Sequence, residues 1–416
     1  MTAQHNPAFF PSARKADRTV FHRNMISGIV NNLSLPLNTA NENAWINAFG
    51  ELKLLKYRSA FVTTKTDHAV KQMHARSREF KIALIELLNS DYPKQYAAAV
   101  KMIFKKAGKD AKLRAISANY ILPGASPADI KFMQEQVALL LKSDPEDARL
   151  YSLQMQLQTE GKVISMPSLR SFFSADYLPG QVLVFSFQRR DRNYPGLAMV
   201  RKADGSFLQE PGGSYFSVGQ LARSESNMPG YISMGNTPQG IFRMDGFDTS
   251  KSNFIGTTTN IQLTMPFEFK ATHFYQNNLL RDSVWTPAEY ANLLPPDLRQ
   301  FQPLYGTYYA GKAGRNEIIA HGTTIDPSFY KDKTYFPYSP SAGCLVCKET
   351  WDDKGYLASS DQFLLTQAVK AAGGPKGYLI LIEIDDKKSA VTFKDISAYL
   401  PKMNNKESIK QKNAGP

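Results

Sequence analysis

The hydrophobic pattern changes period near Val163. Before it, apolar positions recur at helical spacing: Phe80, Leu84 and Leu87; Val100, Ile103, Phe104 and Ala107; Ile130, Met133, Val137 and Leu141. Ser126-Pro127-Ala128-Asp129 sets a capping hydroxyl, a first-turn proline and a carboxylate in order, and Asp144-Pro145-Glu146 repeats the arrangement. Gly108, Gly124 and Gly161 stand where helices stop. This spacing predicts about six helices packed as an all-α module over residues 20–162. Residues 1–19, polar and with two prolines, read as a flexible N-terminus.

Residues 163–180 read as a linker, and a period of two follows. Gln181–Phe187 and Gly196–Arg201 read as strands, Ala203-Asp204-Gly205 as a turn, and Ser214–Val218 as a further strand. Thr237-Pro238-Gln239-Gly240 turns tightly into a strand at Ile241–Met244. A helix is expected over Thr286–Leu294, a strand over Asn316–Ala320, a helix over Asp361–Ala372 and a buried strand over Gly377–Ile384. The charged stretch 401–416 reads as a flexible tail. The fold class is thus multidomain α+β, a helical module followed by a mostly β domain over 181–400.

Length supports this division, because 416 residues exceed one ordinary core. With 43% hydrophobic and 21% charged residues the composition is that of a globular protein. No apolar run approaches the roughly 18–20 residues of a membrane span. The net charge of +13 is uneven: residues 1–120 hold 19 Lys and Arg against 8 Asp and Glu, a surplus of 11. A basic stretch of that kind attracts nucleic acid, a membrane surface or an acidic polymer, or is a solvated lysine-rich helix face. His22, His68 and His74 fall among polar helix positions and read as surface residues.

The two cysteines of the chain, Cys344 and Cys347, exclude a disulfide framework. Ser341-Ala342-Gly343-Cys344 follows Pro337 and Pro340, a turn-rich presentation unlike a core strand. His321, in His321-Gly322-Thr323, stands at the end of a predicted strand, 23 residues before the thiol. A thiol with an imidazole base is the minimal set for nucleophilic acyl transfer. The N–H groups of Ala342, Gly343 and Cys344 are candidates to hold an oxyanion. His273 is a rival base, and Cys347 reads as a core residue. Cys344-x-x-Cys347 lacks the second ligand pair of a zinc site and the βαβ context of a redox motif, so neither metal nor cofactor is expected. The Pro211-Gly212-Gly213 glycines open no helix, which removes a phosphate-binding reading.

Thr237-Pro238-Gln239-Gly240-Ile241-Phe242, His321-Gly322-Thr323 and Ser341-Ala342-Gly343-Cys344, in that order, resemble the L,D-transpeptidase catalytic domain of bacterial cell-wall enzymes. Met265-Pro266-Phe267 resembles a segment often found between the first two motifs. The resemblance covers roughly 181–400 and leaves the helical region outside. It implies a β-sandwich-like mixed domain with the cysteine loop at one end. It also implies Cys344 as nucleophile, His321 as base, Gly322 or Thr323 orienting the imidazole, and Ser341 and Gly343 shaping the turn. The implied reaction attacks a peptidoglycan tetrapeptide stem and releases D-alanine. An amine then resolves the thioester into a 3–3 crosslink, or water resolves it as an L,D-carboxypeptidase would. A non-catalytic wall-binding scaffold is the alternative.

Three departures alter the expected site. Ala342 stands where the family often has His or Arg, and Val346 where it usually has Arg or Asn. Lys348 or Arg315 is then the expected replacement anchor for substrate. The loop from Ile325 to Tyr338 is enlarged, and its Phe329, Tyr330, Tyr335, Phe336 and Tyr338 form either a substrate wall or plain loop packing. By the resemblance the protein is expected in the periplasm or cell envelope, a leader peptide preceding this numbering. The basic helical module would then dock on anionic wall polymer or an envelope protein, rather than on nucleic acid.

Overall fold

The computed structural model of the chain describes residues 8–162, 164, 166–275, 284–324 and 326–400. The tail 401–416, the first seven residues, Val163 and Ile325 lie outside the described residues. Among those described, eight helices precede residue 160: α1 Lys15–Ser34, α2 Glu42–Leu55, α3 Ala60–Gln72, α4 Arg78–Asp91, α5 Ala97–Lys106, α6 Ala111–Ile121, α7 Pro127–Ser143 and α8 Ala148–Thr159. Side chains fix their starts by accepting otherwise orphaned N–H groups: Ser59 for α3, Ser77 for α4, Asp110 for α6. Ser126 and Asp129 close a reciprocal capping box at α7. The start expected at Asp144-Pro145 lies three residues later, because the Asp147 carboxylate receives the N–H groups of Arg149 and Leu150.

Residues 8–19, expected to be flexible, are instead held down. Phe10 N–H donates to the Gly355 carbonyl (2.9 Å), Leu357 N–H to the Ala8 carbonyl (2.8 Å), and the Phe9 ring lies 5.2 Å from that of Tyr356. The stretch expected as a linker carries a short helix, α9 Arg170–Phe173, whose Phe172 and Phe173 are buried against the β domain.

The strands are β1 Val182–Arg189, β2 Gly196–Arg201, β3 Val218–Leu221, β4 Gly240–Asp248, β5 Asn260–Thr264, β6 Ile318–His321, β7 Leu345–Cys347, β8 Glu349–Trp351, β9 Leu357–Ser360 and β10 Gly377–Asp385. Short helices α10 Ala271–Phe274, α11 Pro287–Ala291, α12 Gly306–Lys312, α13 Asp361–Ala371 and α14 Phe393–Ile396 complete the domain. Eight strands close in the order β1-β10-β4-β5-β6-β7-β3-β2, and β8-β9 form a separate hairpin. This closed barrel replaces the sandwich-like arrangement that the resemblance implied. β3 pairs with β2 on one side and β7 on the other, so neither half keeps a free edge. β1 with β10 and β6 with β7 run parallel, and the remaining barrel pairs are antiparallel.

Every barrel strand contributes to one apolar cluster, including Val184, Val200, Val218, Phe242, Ile261, Ile318, Ala320, Leu345, Cys347 and Leu381, joined by Leu365 and Val369 of α13. On the outside, β1, β4 and β10 pack under α9 and α11–α12 through Phe185, Ile241, Ile380, Tyr290 and Tyr308. The helical region has its own core around Trp45, Phe49, Phe80 and Phe104, and Met228 and Ile232 of the β domain enter it. Tyr231 Oη donates to Gln156 (2.8 Å) and accepts from Asn119 (2.7 Å), and Asn89 donates to the Ser226 carbonyl (2.9 Å). Helices and barrel therefore share a buried interface.

Two lysines of the helical region are paired with acids of the same region in the interior. Lys53 pairs with Glu86 (2.6 Å) and Lys56 with Asp91 (3.0 Å), burial pushing the Lys56 ammonium down to about 8. Among the described residues no helix is long and apolar enough to cross a membrane. Tyr330 ties the enlarged loop to the helices through its hydroxyl, which donates to the Leu54 carbonyl (2.6 Å) in a buried setting. Tyr330→Phe orphans that carbonyl, and a loss of about 1–2 kcal/mol is expected, read as a lower urea midpoint at unchanged slope.

Candidate active site

The site is built on the parallel pair β6–β7, where Ala320 lies opposite Leu345 and His321 opposite Val346. Ala320 and Leu345 face the barrel core. Alternation then sends His321, Val346 and, two residues before it, Cys344 to the opposite face. The Ile319 N–H reaches the Cys344 sulfur, which continues the same register. Strand spacing and rise put the Cα atoms of His321 and Cys344 about 8 Å apart on one face. A diagonal separation of that size lies within reach of an aromatic side chain such as the imidazole.

His321 is 4% exposed, and its Nδ1 lies 2.6 Å from the Gly322 carbonyl. A carbonyl only accepts, so Nδ1 carries the proton and Nε2 keeps its lone pair. The orienting group is thus the Gly322 carbonyl; the Thr323 hydroxyl donates elsewhere, to the Phe254 carbonyl (3.2 Å). Burial pushes the imidazole down to about 4, against the bond to Gly322, so it is neutral at physiological pH. Burial likewise pushes the Cys344 thiol up; the Ile319 N–H and the Arg315 guanidinium act against this. The resting pair is a neutral thiol beside a neutral base.

The cysteine turn is clamped from below. Arg315 donates to the carbonyls of Gly230, Asn236 (2.6 Å), Gly235 (2.7 Å) and Gly343 (3.1 Å). The Thr237 hydroxyl, from the Thr-Pro-Gln-Gly motif, donates to the same Gly343 carbonyl (3.0 Å). Gly343 takes φ +118°, and a Cβ there would stand 2.2 Å from the Arg315 guanidinium, so only glycine fits. Ser341 Oγ receives the Gly343 N–H (3.1 Å) and donates to the Cys344 carbonyl (3.0 Å). That occupies one of the three N–H groups considered for an oxyanion and leaves those of Ala342 and Cys344. At the other end of β6, Glu317 adopts φ +59°, rare for a non-glycine, with its carbonyl 3.9 Å from the Cys344 sulfur.

The remaining expected residues sort plainly. Arg315 is 5% exposed and committed to backbone carbonyls, so it shapes the turn and is not a substrate anchor. Lys348 lies half-buried between β7 and β8. His273 sits on α10, its ring 4.5 Å from Phe269 and its Nε2 3.9 Å from Asp245, and shares no contact with the His321–Cys344 pair. Tyr335 and Tyr330 are buried with Leu221 beneath the loop, Tyr338 covers Gly219 of β3, and Phe336 is exposed. The loop is therefore largely packed on the sheet face that carries His321. His68 and His74 are exposed, and His22 stacks on Phe329 (4.6 Å). Among the described residues no group of three or more His, Cys, Asp or Glu side chains is placed to hold a metal ion.

Two residues near the site escaped the sequence reading. Arg223, from the extension of β3, is buried, lies over the Tyr335 ring (4.8 Å), and its carbonyl receives the Ser341 N–H (3.3 Å). Glu349 is 3% exposed and packs so tightly on Gly322 that a Cβ there would stand 2.0 Å from its carboxyl carbon. The Ser360 hydroxyl donates to Glu349 Oε1 (2.6 Å). Burial pushes this carboxyl up to about 7, opposed by the Ser360 and Thr258 hydroxyls. The alternating buried positions Glu349 and Trp351 were the available signal.

In comparison with known proteins, the chain matches no family model, no curated protein and no solved structure.

His321 and Glu349 give stability opposite pH slopes. The lowered imidazole contributes stability above pH 6.5 that is lost as pH falls through about 4. The raised carboxyl contributes stability below pH 4.5 that is lost as pH rises through about 7. Each spans about 3 kcal/mol and they offset between pH 4.5 and 6.5. Glu349→Gln leaves the histidine slope alone, so its urea midpoint should climb more steeply than wild type's from pH 4.5 to 6.5.

Proposed function

We propose that the protein is a cysteine acyltransferase of the cell envelope, an L,D-transpeptidase acting on peptidoglycan tetrapeptide stems. The observation that carries this reading is the shared face of β6 and β7, where Cys344 and His321 stand as diagonal neighbours and Gly322 fixes the tautomer. The neutral thiol attacks the carbonyl at the L-centre of the third residue as His321 Nε2 takes its proton. The oxyanion forms beside the N–H groups of Ala342 and Cys344. Collapse breaks the C–N bond, His321 returns the proton to the leaving D-alanine, and a thioester remains on Cys344. An acceptor amine deprotonated by His321 resolves it as a 3–3 crosslink; water resolves it as a tripeptide. The basic surplus of residues 1–120 supports docking on an anionic wall polymer or an envelope partner.

Purified tetrapeptide muropeptides test the reading by mass spectrometry. Wild type is expected to yield 3–3 dimers or tripeptides, and Cys344→Ala neither. Unchanged tetrapeptide with the wild-type chain would sink the proposal.

A further inference from the structure

The short strand β8 holds the His321-Gly322-Thr323 segment at two points. Trp351 Nε1 donates to the Thr323 carbonyl (3.2 Å). One alternation earlier, Glu349 lays its carboxyl group on Gly322. A Cβ there would stand 2.0 Å from the carboxyl carbon and 2.2 and 2.4 Å from its two oxygens. Gly256, in the β4–β5 connection, makes the same allowance, because a Cβ there would stand 2.8 Å from Glu349 Oε2. The carboxyl is thus admitted by glycines from two separate stretches of the chain.

These contacts limit its distance from the base. The carboxyl carbon lies within about 3.5 Å of the Gly322 Cα, and the Gly322 carbonyl oxygen is 2.6 Å from His321 Nδ1. Carboxyl and imidazole are therefore at most about 9 Å apart, joined through one peptide group. When His321 takes a proton on Nε2 it becomes a buried cation whose Nδ1–H meets a neutral carbonyl. Such a cation is unfavourable, and a carboxylate at this range in dry surroundings stabilises it.

We infer that Glu349 is a positioning residue for the base, its carboxylate held against Gly322 so as to stabilise the imidazolium that His321 becomes. The inference rests on the acyl-transfer reading, in which the thiol supplies that proton. At rest the two charges do not meet. Burial pushes the imidazole down to about 4 and the carboxyl up to about 7, so Glu349 is neutral over the range where His321 is charged. They coexist when acyl transfer drives a proton on to Nε2 above that range. Besides burial, the Ser360 and Thr258 hydroxyls favour the ionised carboxylate, and Asp361 at the start of α13 opposes it. The Cys347 thiol of β7 also faces Glu349, and Lys348 acts on Asp361.

Acylation of Cys344 by an activated ester is followed by intact mass on the full chain from pH 6 to pH 8. The ratio of wild-type to Glu349→Gln rates is expected to grow by about 5- to 20-fold across that range, because only wild type gains the charge. Glu349→Asp should retain part of the rise, and Asp361→Asn should move the rise of an otherwise wild-type chain to lower pH. On the same samples the carbon-13 shift of the His321 ring should inflect near the carboxyl's titration in wild type and not in Glu349→Gln. A pH-independent ratio, which a purely structural role gives, or the absence of that inflection from wild type, overturns the inference. The inflection in a wild-type chain that no ester acylates would overturn the acyl-transfer reading alone.

Discussion

The parallel pairing of β6 with β7 is the constraint on which the site depends. It places Ala320 and Leu345 in the barrel core and thereby sends His321 and Cys344 to the other face. A slip of one residue would bury one functional group and expose a core residue in its place. The register is held by more than the ladder. β7 is also paired with β3, and β3 runs on through Arg223 and Ser224 to bond Ser341 on the cysteine turn. The closed barrel thus fixes the thiol from both neighbouring strands.

Burial sets the electrostatic character of the pair. Both groups lose more from desolvation than they gain from neighbours, so imidazole and thiol rest neutral. The buried Arg315 charge beneath the turn is spent on carbonyls and steadies the geometry. In the proposed reaction the thiol keeps its proton until a carbonyl arrives, and transfer to Nε2 accompanies attack. Glu349, packed on Gly322 behind the base, shares the same dry surroundings.

Long periodic elements were legible in the sequence. β1, β2, β10 and α13 appear where alternation or helical spacing placed them, and β6 ends on His321 as expected. Short elements were not: β7 spans three residues and β5 five, too few for a period to stand out. The ordered start at residue 8 escaped because its partner is the β8–β9 hairpin, and Lys15 meets Asp353 across 338 residues. Arg315 looked like a substrate anchor because a sequence records a cation but not the four carbonyls that claim it. The role of Thr237 was visible only as part of a motif; its bond to the Gly343 carbonyl supplies the physical reason for a hydroxyl there.

The central claim is that Cys344 and His321 act as one acyl-transfer unit. Intact-mass kinetics with an activated ester, followed by peptide mapping, tests it most directly. The expected adduct lies on Cys344, with Cys347 unmodified because its buried thiol is pushed well above the usual range. His321→Asn should slow acylation by about 100-fold or more. Acylation of Cys344 at the wild-type rate in His321→Asn, or adducts on Cys347 instead, would contradict the account.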